Sequence, residues 1–136
     1  MKGYIREMTT FRELLLINKI DYKRNNHSSL DEWFNGILDI PLDELDVGDV
    51  ARAIRQDLFL AEILPRAEVI LRQDPLAGED YDGQLISSIA SLDSNKARSV
   101  LPALRRISYF LNQLDKSIFD NKLIEDIEKI DKLFHT

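Results

Sequence analysis

Twelve carboxylates stand in two stretches of the chain that contain no lysine or arginine. Residues 28–50 carry Asp31, Glu32, Asp39, Asp43, Glu44, Asp46 and Asp49, and residues 74–93 carry Asp74, Glu79, Asp80, Asp82 and Asp93. Carboxylates gathered in this way serve proton transfer, cation binding or attraction of a basic partner. A pair becomes an acid/base dyad only in a cleft that separates the two pKa values, and nothing in the sequence marks such a cleft. Cation binding has one apparent foothold, GEDYDGQLI, which has the outline of an EF-hand loop. With Gly83 aligned to the invariant glycine, Asp80 and Asp82 fall at positions three and five. Gly78 then occupies position one and Ile89 replaces the bidentate glutamate at position twelve, so two of the strongest ligands are missing. No metal and no cofactor is expected, which leaves two uses for the acidic stretches, attraction of a basic partner or a solvated face that keeps the chain soluble.

The other reactive side chains form no constellation. His27 falls in a polar loop and His135 at the C-terminus, with no ligand spacing to each other or to acids, and an imidazole without an orienting partner does little chemistry. The serines lie in helix starts or helical runs, with neither a Gly-x-Ser-x-Gly elbow nor a glycine-rich phosphate loop. Two aromatics neighbour the acids. Trp33 fits the inner stripe of its own helix. Tyr81, between Asp80 and Asp82, is suited either to anchor a partner or to fold back over the core.

The elements that must hold these residues are helical. Thr10, with Glu13 three residues on, opens a helix carrying Phe11, Leu14, Leu15 and Ile17. Met1 to Thr9 reads as a lead-in, and Asp21 to His27 as a loop. Ser29 is expected to cap SLDEWFNGILDI, whose Leu30, Trp33, Phe34, Ile37 and Leu38 share one face until Pro41 stops it. Leu42 to Leu45 is a short turn. Asp46 and Asp49 open a helix with Val47, Val50, Ala51, Ile54 and Leu58 inside. A break or kink is expected between Phe59 and Pro65, then a helix through Arg72 that Asp74-Pro75 ends. After the loop 74–83 and a short helix over 85–92, Ser94 is expected to cap a long run. In it Val100, Leu104, Ile107, Leu111 and Leu114 form a stripe, and Pro102 either bends the run or marks its first turn. The last helix turns Leu123, Ile127, Ile130 and Phe134 to one side, for a core or for a dimer.

Sustained alternation of apolar and polar residues is absent, so the fold class is all-α, a single-domain bundle over 1–136 of about six to seven helices. At 136 residues, 44% apolar and 31% charged, the chain has the composition of a globular domain large enough to bury a core. It has no cysteine, which fits a reducing compartment. No run approaches the roughly 20 apolar residues of a membrane span, and MKGYIREMTTF lacks the apolar region of a secretory signal. The net charge of −6 disfavours direct binding to nucleic acid, which needs clustered lysine and arginine.

One stretch carries a resemblance. PLDELDVGDVARAIRQDLFLAEILPRAEVILRQDPLAGEDYDGQLISSI, within residues 41–92, is similar to a helical family of immunity proteins from bacterial contact-dependent growth inhibition (CDI) systems. The shared landmarks are the PLDEL turn, the D-x-x-D helix start running to Ile54, Arg55 and Gln56, the leucine-rich helix holding Pro65, and the run DPLAG-x-x-Y-x-G-x-L-I. SLDEWF just upstream also fits. Gln84 departs from the pattern, where an acid is expected, and the segments before Ser28 and after Asp93 show no matching pattern. The resemblance implies a cytoplasmic, non-enzymatic inhibitor that binds the C-terminal toxin domain of an incoming effector and blocks it by direct occlusion. Toxins of this kind are commonly nucleases, basic where they hold phosphate.

Taken with the two base-free stretches, the resemblance makes Asp39, Asp43, Glu44, Asp74, Glu79, Asp80, Tyr81 and Asp82 the expected toxin contacts. Ionic steering is screened within about 8 Å at physiological salt, so tight inhibition also needs apolar contacts, for which Tyr81 and Leu76 are candidates. Two rivals predict different behaviour. A helical adaptor using the same acidic surface would recover a resident protein on co-purification, and a small hydrolase using paired carboxylates would show turnover that one Asp substitution abolishes.

Overall fold

Local capping signals set most of the helix boundaries in the computed structural model, which describes residues 9–22 and 28–134. The lead-in over residues 1–8, most of the loop at 21–27, His27 and His135 lie outside the described residues. The chain divides into two compact units, Met1–Leu45 and Asp46–Thr136. Among the described residues all regular structure is helical, and no helix is long and apolar enough to cross a membrane.

In the first unit, α1 (Phe11–Ile17) starts at Thr10, whose hydroxyl oxygen accepts the Glu13 amide at 3.2 Å. The second helix, α2 (Ser29–Ile37), is capped by Ser28, not by Ser29 as expected: the Ser28 hydroxyl accepts the Asp31 amide at 3.1 Å, which makes Ser29 the first helical residue. In a Ser-Ser pair either hydroxyl can cap, and sequence alone does not separate them. Phe34 is the aromatic hub, with the rings of Phe11 at 5.5 Å, Tyr22 at 5.4 Å and Trp33 at 6.2 Å. Phe11, Leu14, Leu15, Phe34, Ile37 and Leu38 are buried, while Trp33 is half-buried and Ile17 exposed. A 3-10 turn, Leu42–Glu44, follows Pro41, burying Leu42 and exposing Asp43 and Glu44.

The second unit opens with α3 (Val47–Arg55), where the Asp46 carboxylate accepts the Asp49 amide at 2.9 Å. Its break from α4 (Leu60–Gln73) falls at Asp57 and Phe59, both left-handed with φ of 63° and 48°. Pro65 stays inside α4. The loop 74–83 leads to α5 (Gln84–Ala90), then α6 (Ser94–Arg98), α7 (Leu101–Gln113), a 3-10 turn Lys116–Ile118, and α8 (Asn121–Lys132). The single run expected after Ser94 is therefore two helices. Asp93 caps the first, Val100 leaves helical geometry, and Pro102 stands in the first turn of α7, where its missing N–H leaves no bond unmade. This division brings the described α-helices to eight.

The short α5 is the centre of the second unit. It packs against α3 on one side and α8 on another, while α4 packs on α3 and α7, and α7 on α8. Leu85, Ile86, Ser88 and Ile89 are completely buried, so seven residues form a pillar that packing, not intrinsic propensity, keeps helical. Val50, Ala51, Ile54, Ile63, Leu64, Leu71, Leu104, Ile107 and Leu111 fill the space around it. Leu123, Ile127 and Ile130 of α8 are buried in this same unit; their apolar stripe serves a core.

Candidate functional site

The loop between α4 and α5 is built to hold its exposed side chains still. Asp74 is extended at the end of α4, and its carboxylate accepts the Leu76 amide at 3.1 Å. The Ala77 amide donates to the Asp74 carbonyl at 3.0 Å, Gly83 to Leu76 at 2.8 Å, and Leu85 to Ala77 at 3.2 Å. Gly83 has φ of 84°, a left-handed conformation that β-carbon-bearing residues rarely adopt. A β-carbon there would also lie 2.4 Å from Leu123 Cδ2, so the loop closes flush on α8.

Gln84, the departure from the family pattern, organises the tip. Its side chain is buried, and its Oε1 accepts both the Glu79 amide at 2.7 Å and the Asp80 amide at 3.0 Å. Its Nε2 donates to Asp80 Oδ2 at 3.1 Å. A neutral amide can give and accept at once, whereas an acid here would face Asp80 with like charge. Opposite it, Arg55 donates to the Ser88 hydroxyl at 3.0 Å and to the Tyr81 phenol oxygen at 2.9 Å. Tyr81 is thus tied by its hydroxyl while 49% of it stays exposed, an outcome between anchoring outward and folding back.

Glu79 sits over the first turn of α3. A β-carbon on Gly48 would stand 2.0 Å from Glu79 Oε2, so only glycine admits this approach. A carboxylate there meets the positive end of the helix, and it brings Glu79 to the helix start that Asp46 and Asp49 open. Glu79, Asp80, Tyr81 and Asp82 are all exposed, as is Asp74 at the loop's foot. These five expected contacts share one loop.

The remaining three belong to the first unit and differ among themselves. Asp43 and Glu44 are exposed on the 3-10 turn. Asp39 is already engaged: Arg12 Nε and Nη2 donate to its two carboxylate oxygens at 2.6 and 3.1 Å. These hydrogen bonds hold the Asp39 carboxyl below the usual carboxylate range, so its charge persists but is locally neutralised.

Residues that sequence reading passed over complete the surroundings of Tyr81. Asp126 of α8, 2% exposed, accepts the Ser87 hydroxyl at 2.8 Å and the Lys122 ammonium at 2.9 Å. The bond to Asp126 raises the Lys122 pKa and keeps it charged. Beside them runs an open groove of about 410 Å³ whose walls include Tyr81, Ser91 and Lys129. The i, i+4 spacing of Lys122 and Asp126 was visible in the sequence, but their approach to Ser87 arises from packing of α5 on α8. Among the described residues no buried side-chain nitrogen or oxygen lacks a partner, and no group of His, Asp or Glu is placed to hold a metal ion.

The helices thus present charged and aromatic side chains on an exposed loop whose backbone is held by internal hydrogen bonds. The chain belongs to the CDI immunity proteins: a family model of that description matches residues 16–107. No curated protein matches the sequence. The matched span runs well beyond residues 41–92 on both sides, into α1 and through most of α7, where the sequence reading found no pattern. Membership supports an immunity role against CDI toxins.

Proposed function

We propose that this chain neutralises its cognate toxin domain by direct occlusion, with the loop 74–83 as the principal contact and no catalytic step. The observation that carries the reading is the double acceptance by Gln84 Oε1 of the Glu79 and Asp80 amides. It fixes the backbone beneath Glu79, Asp80, Tyr81 and Asp82, so little ordering entropy is lost when a partner docks. The toxin that fits is basic at its contact surface, as a nuclease is where it holds phosphate. Opposite fields speed encounter, and the Tyr81 ring supplies apolar area that slows dissociation. Asp43 and Glu44 offer further carboxylates from the first unit. Asp39 contributes less, because a partner cation must compete with Arg12.

Growth of cells producing the cognate toxin domain in the cytoplasm tests this reading. Co-production of the chain is expected to restore growth, and a variant carrying Asp80→Lys and Asp82→Lys is expected to restore it poorly at equal abundance. Failure of the unaltered chain to protect would end the inhibitor reading. Full protection by the variant would remove the loop as the site.

A further inference from the structure

The groove between α5 and α8 has the opposite character to the loop above it. Its polar walls are Tyr81, Ser87, Ser91, Lys122, Asp126 and Lys129. Two lysines against one aspartate leave it one positive charge, in a chain whose net charge is −6. Most of its hydrogen-bonding capacity is already committed, and what remains is directional. Ser87 gives its hydroxyl proton to Asp126 and Ser91 gives its own to the Ser88 carbonyl at 2.6 Å, so neither serine has a proton to offer. Tyr81 is the reverse: its oxygen accepts from Arg55, leaving the phenol proton to be donated. Lys122 spends one N–H on Asp126, and Lys129 has no ion pair among the described residues. The free donors are thus Tyr81, Lys122 and Lys129, all at one concavity.

Resting on the function proposed above, we propose that this groove receives an acidic side chain of the toxin domain. A carboxylate matches the single net positive charge and accepts from an ammonium and a phenol in short charge-assisted bonds. A phosphate dianion would exceed that charge and meet both Asp126 and the neighbouring loop acids. The toxin's contact surface is therefore of mixed sign, with basic residues facing Asp80 and Asp82 and an acid seated beside Lys129. Such alternation fixes docking register and rejects a toxin that is uniformly basic, since unmatched like charges repel.

The test uses Lys129→Glu, an exposed position whose replacement leaves the core untouched, with Lys129→Arg as the charge-preserving companion. Affinity of the full chain for the purified cognate toxin domain is measured alongside thermal unfolding. Lys129→Glu is expected to weaken binding at least tenfold without moving the unfolding transition, and Lys129→Arg to stay within threefold of the unaltered chain. Among toxin variants with single Asp or Glu residues changed to Lys, one is expected to recover most of the loss against Lys129→Glu. Unchanged affinity for Lys129→Glu, or the absence of any compensating toxin variant, overturns the groove assignment. If Asp80→Lys with Asp82→Lys still weakens binding in that case, the loop reading survives it. If the unaltered chain does not bind the toxin domain, both fall together.

Discussion

Gly83→Val is expected to destabilise the protein by about 2–5 kcal/mol in denaturant unfolding. Two independent penalties combine. A left-handed backbone costs a residue with a β-carbon roughly 1–2 kcal/mol, and φ at Gly83 is 84°. Crowding adds about 1–3 kcal/mol in a packed core, because the new β-carbon would lie 2.4 and 2.6 Å from the two δ-carbons of Leu123, itself only 4% exposed. Alanine at the same position should cost less, since the single added carbon meets the movable end of a leucine. Gly36→Ala is the control: it sits in α2 with nothing within 4 Å of the added carbon. There the substitution should stabilise by about 0.5–1 kcal/mol. If Gly83→Val and Gly36→Ala shift the midpoint alike, the loop does not close on α8 as described.

The second large effect concerns binding. Replacing both Asp80 and Asp82 with lysine, and Tyr81 with alanine, is expected to weaken toxin binding by about 2–4 kcal/mol, roughly 30- to 1,000-fold. A single exposed ion pair contributes less than about 1 kcal/mol, so neutralising one acid would show little. Reversal converts two attractions into repulsions, and removing the Tyr81 ring takes away the aromatic area that a screened charge cannot replace. The association rate should fall and lose most of its dependence on salt, while the tyrosine substitution alone should act mainly on dissociation. The substitutions also remove the Asp80 acceptor of Gln84 Nε2 and the Tyr81 acceptor of Arg55, so stability should fall modestly, and thermal unfolding is measured beside binding to confirm that the variant remains folded at the assay temperature. Equal loss in association rate at high and low salt would argue against steering by these acids.

Why these outcomes were only partly foreseeable from sequence is a matter of range. Thr10 with Glu13, Asp46 with Asp49, and Asp74-Pro75 act within one helical turn, and each starts or stops a helix as its residue types require. The stripe through Val100, Leu104, Ile107 and Leu111 is likewise local, and all four are buried. The break carries no glycine or proline; it falls at Asp57 and Phe59, at the near edge of the expected interval, while Pro65, the residue that suggested it, lies inside α4. Ser28 and Asp93 displaced the expected caps Ser29 and Ser94 by one residue, a choice between neighbouring oxygens of nearly equal capping strength. Side-chain partnerships across the chain were out of reach: Arg12 with Asp39, Arg55 with Tyr81, and Ser87 with Asp126 join residues 27, 26 and 39 positions apart. The division after Leu45 falls inside an acidic stretch of uniform composition, and no change of residue type announces it. For the same reason the loop acids were legible as a group, while Gln84, which holds the loop tip in place, registered only as a departure from a pattern.

Tyr81 and Tyr109 provide the most direct test, because both rings are exposed, at 49% and 69%, one on the loop and the other on α7. Hydroxyl-radical footprinting of the chain, alone and saturated with its cognate toxin domain, reads each ring separately. Strong protection of Tyr81 with Tyr109 still fully modified is the result expected of a toxin seated on the loop 74–83. Protection of Tyr109 with Tyr81 unchanged would contradict the account and move the contact elsewhere.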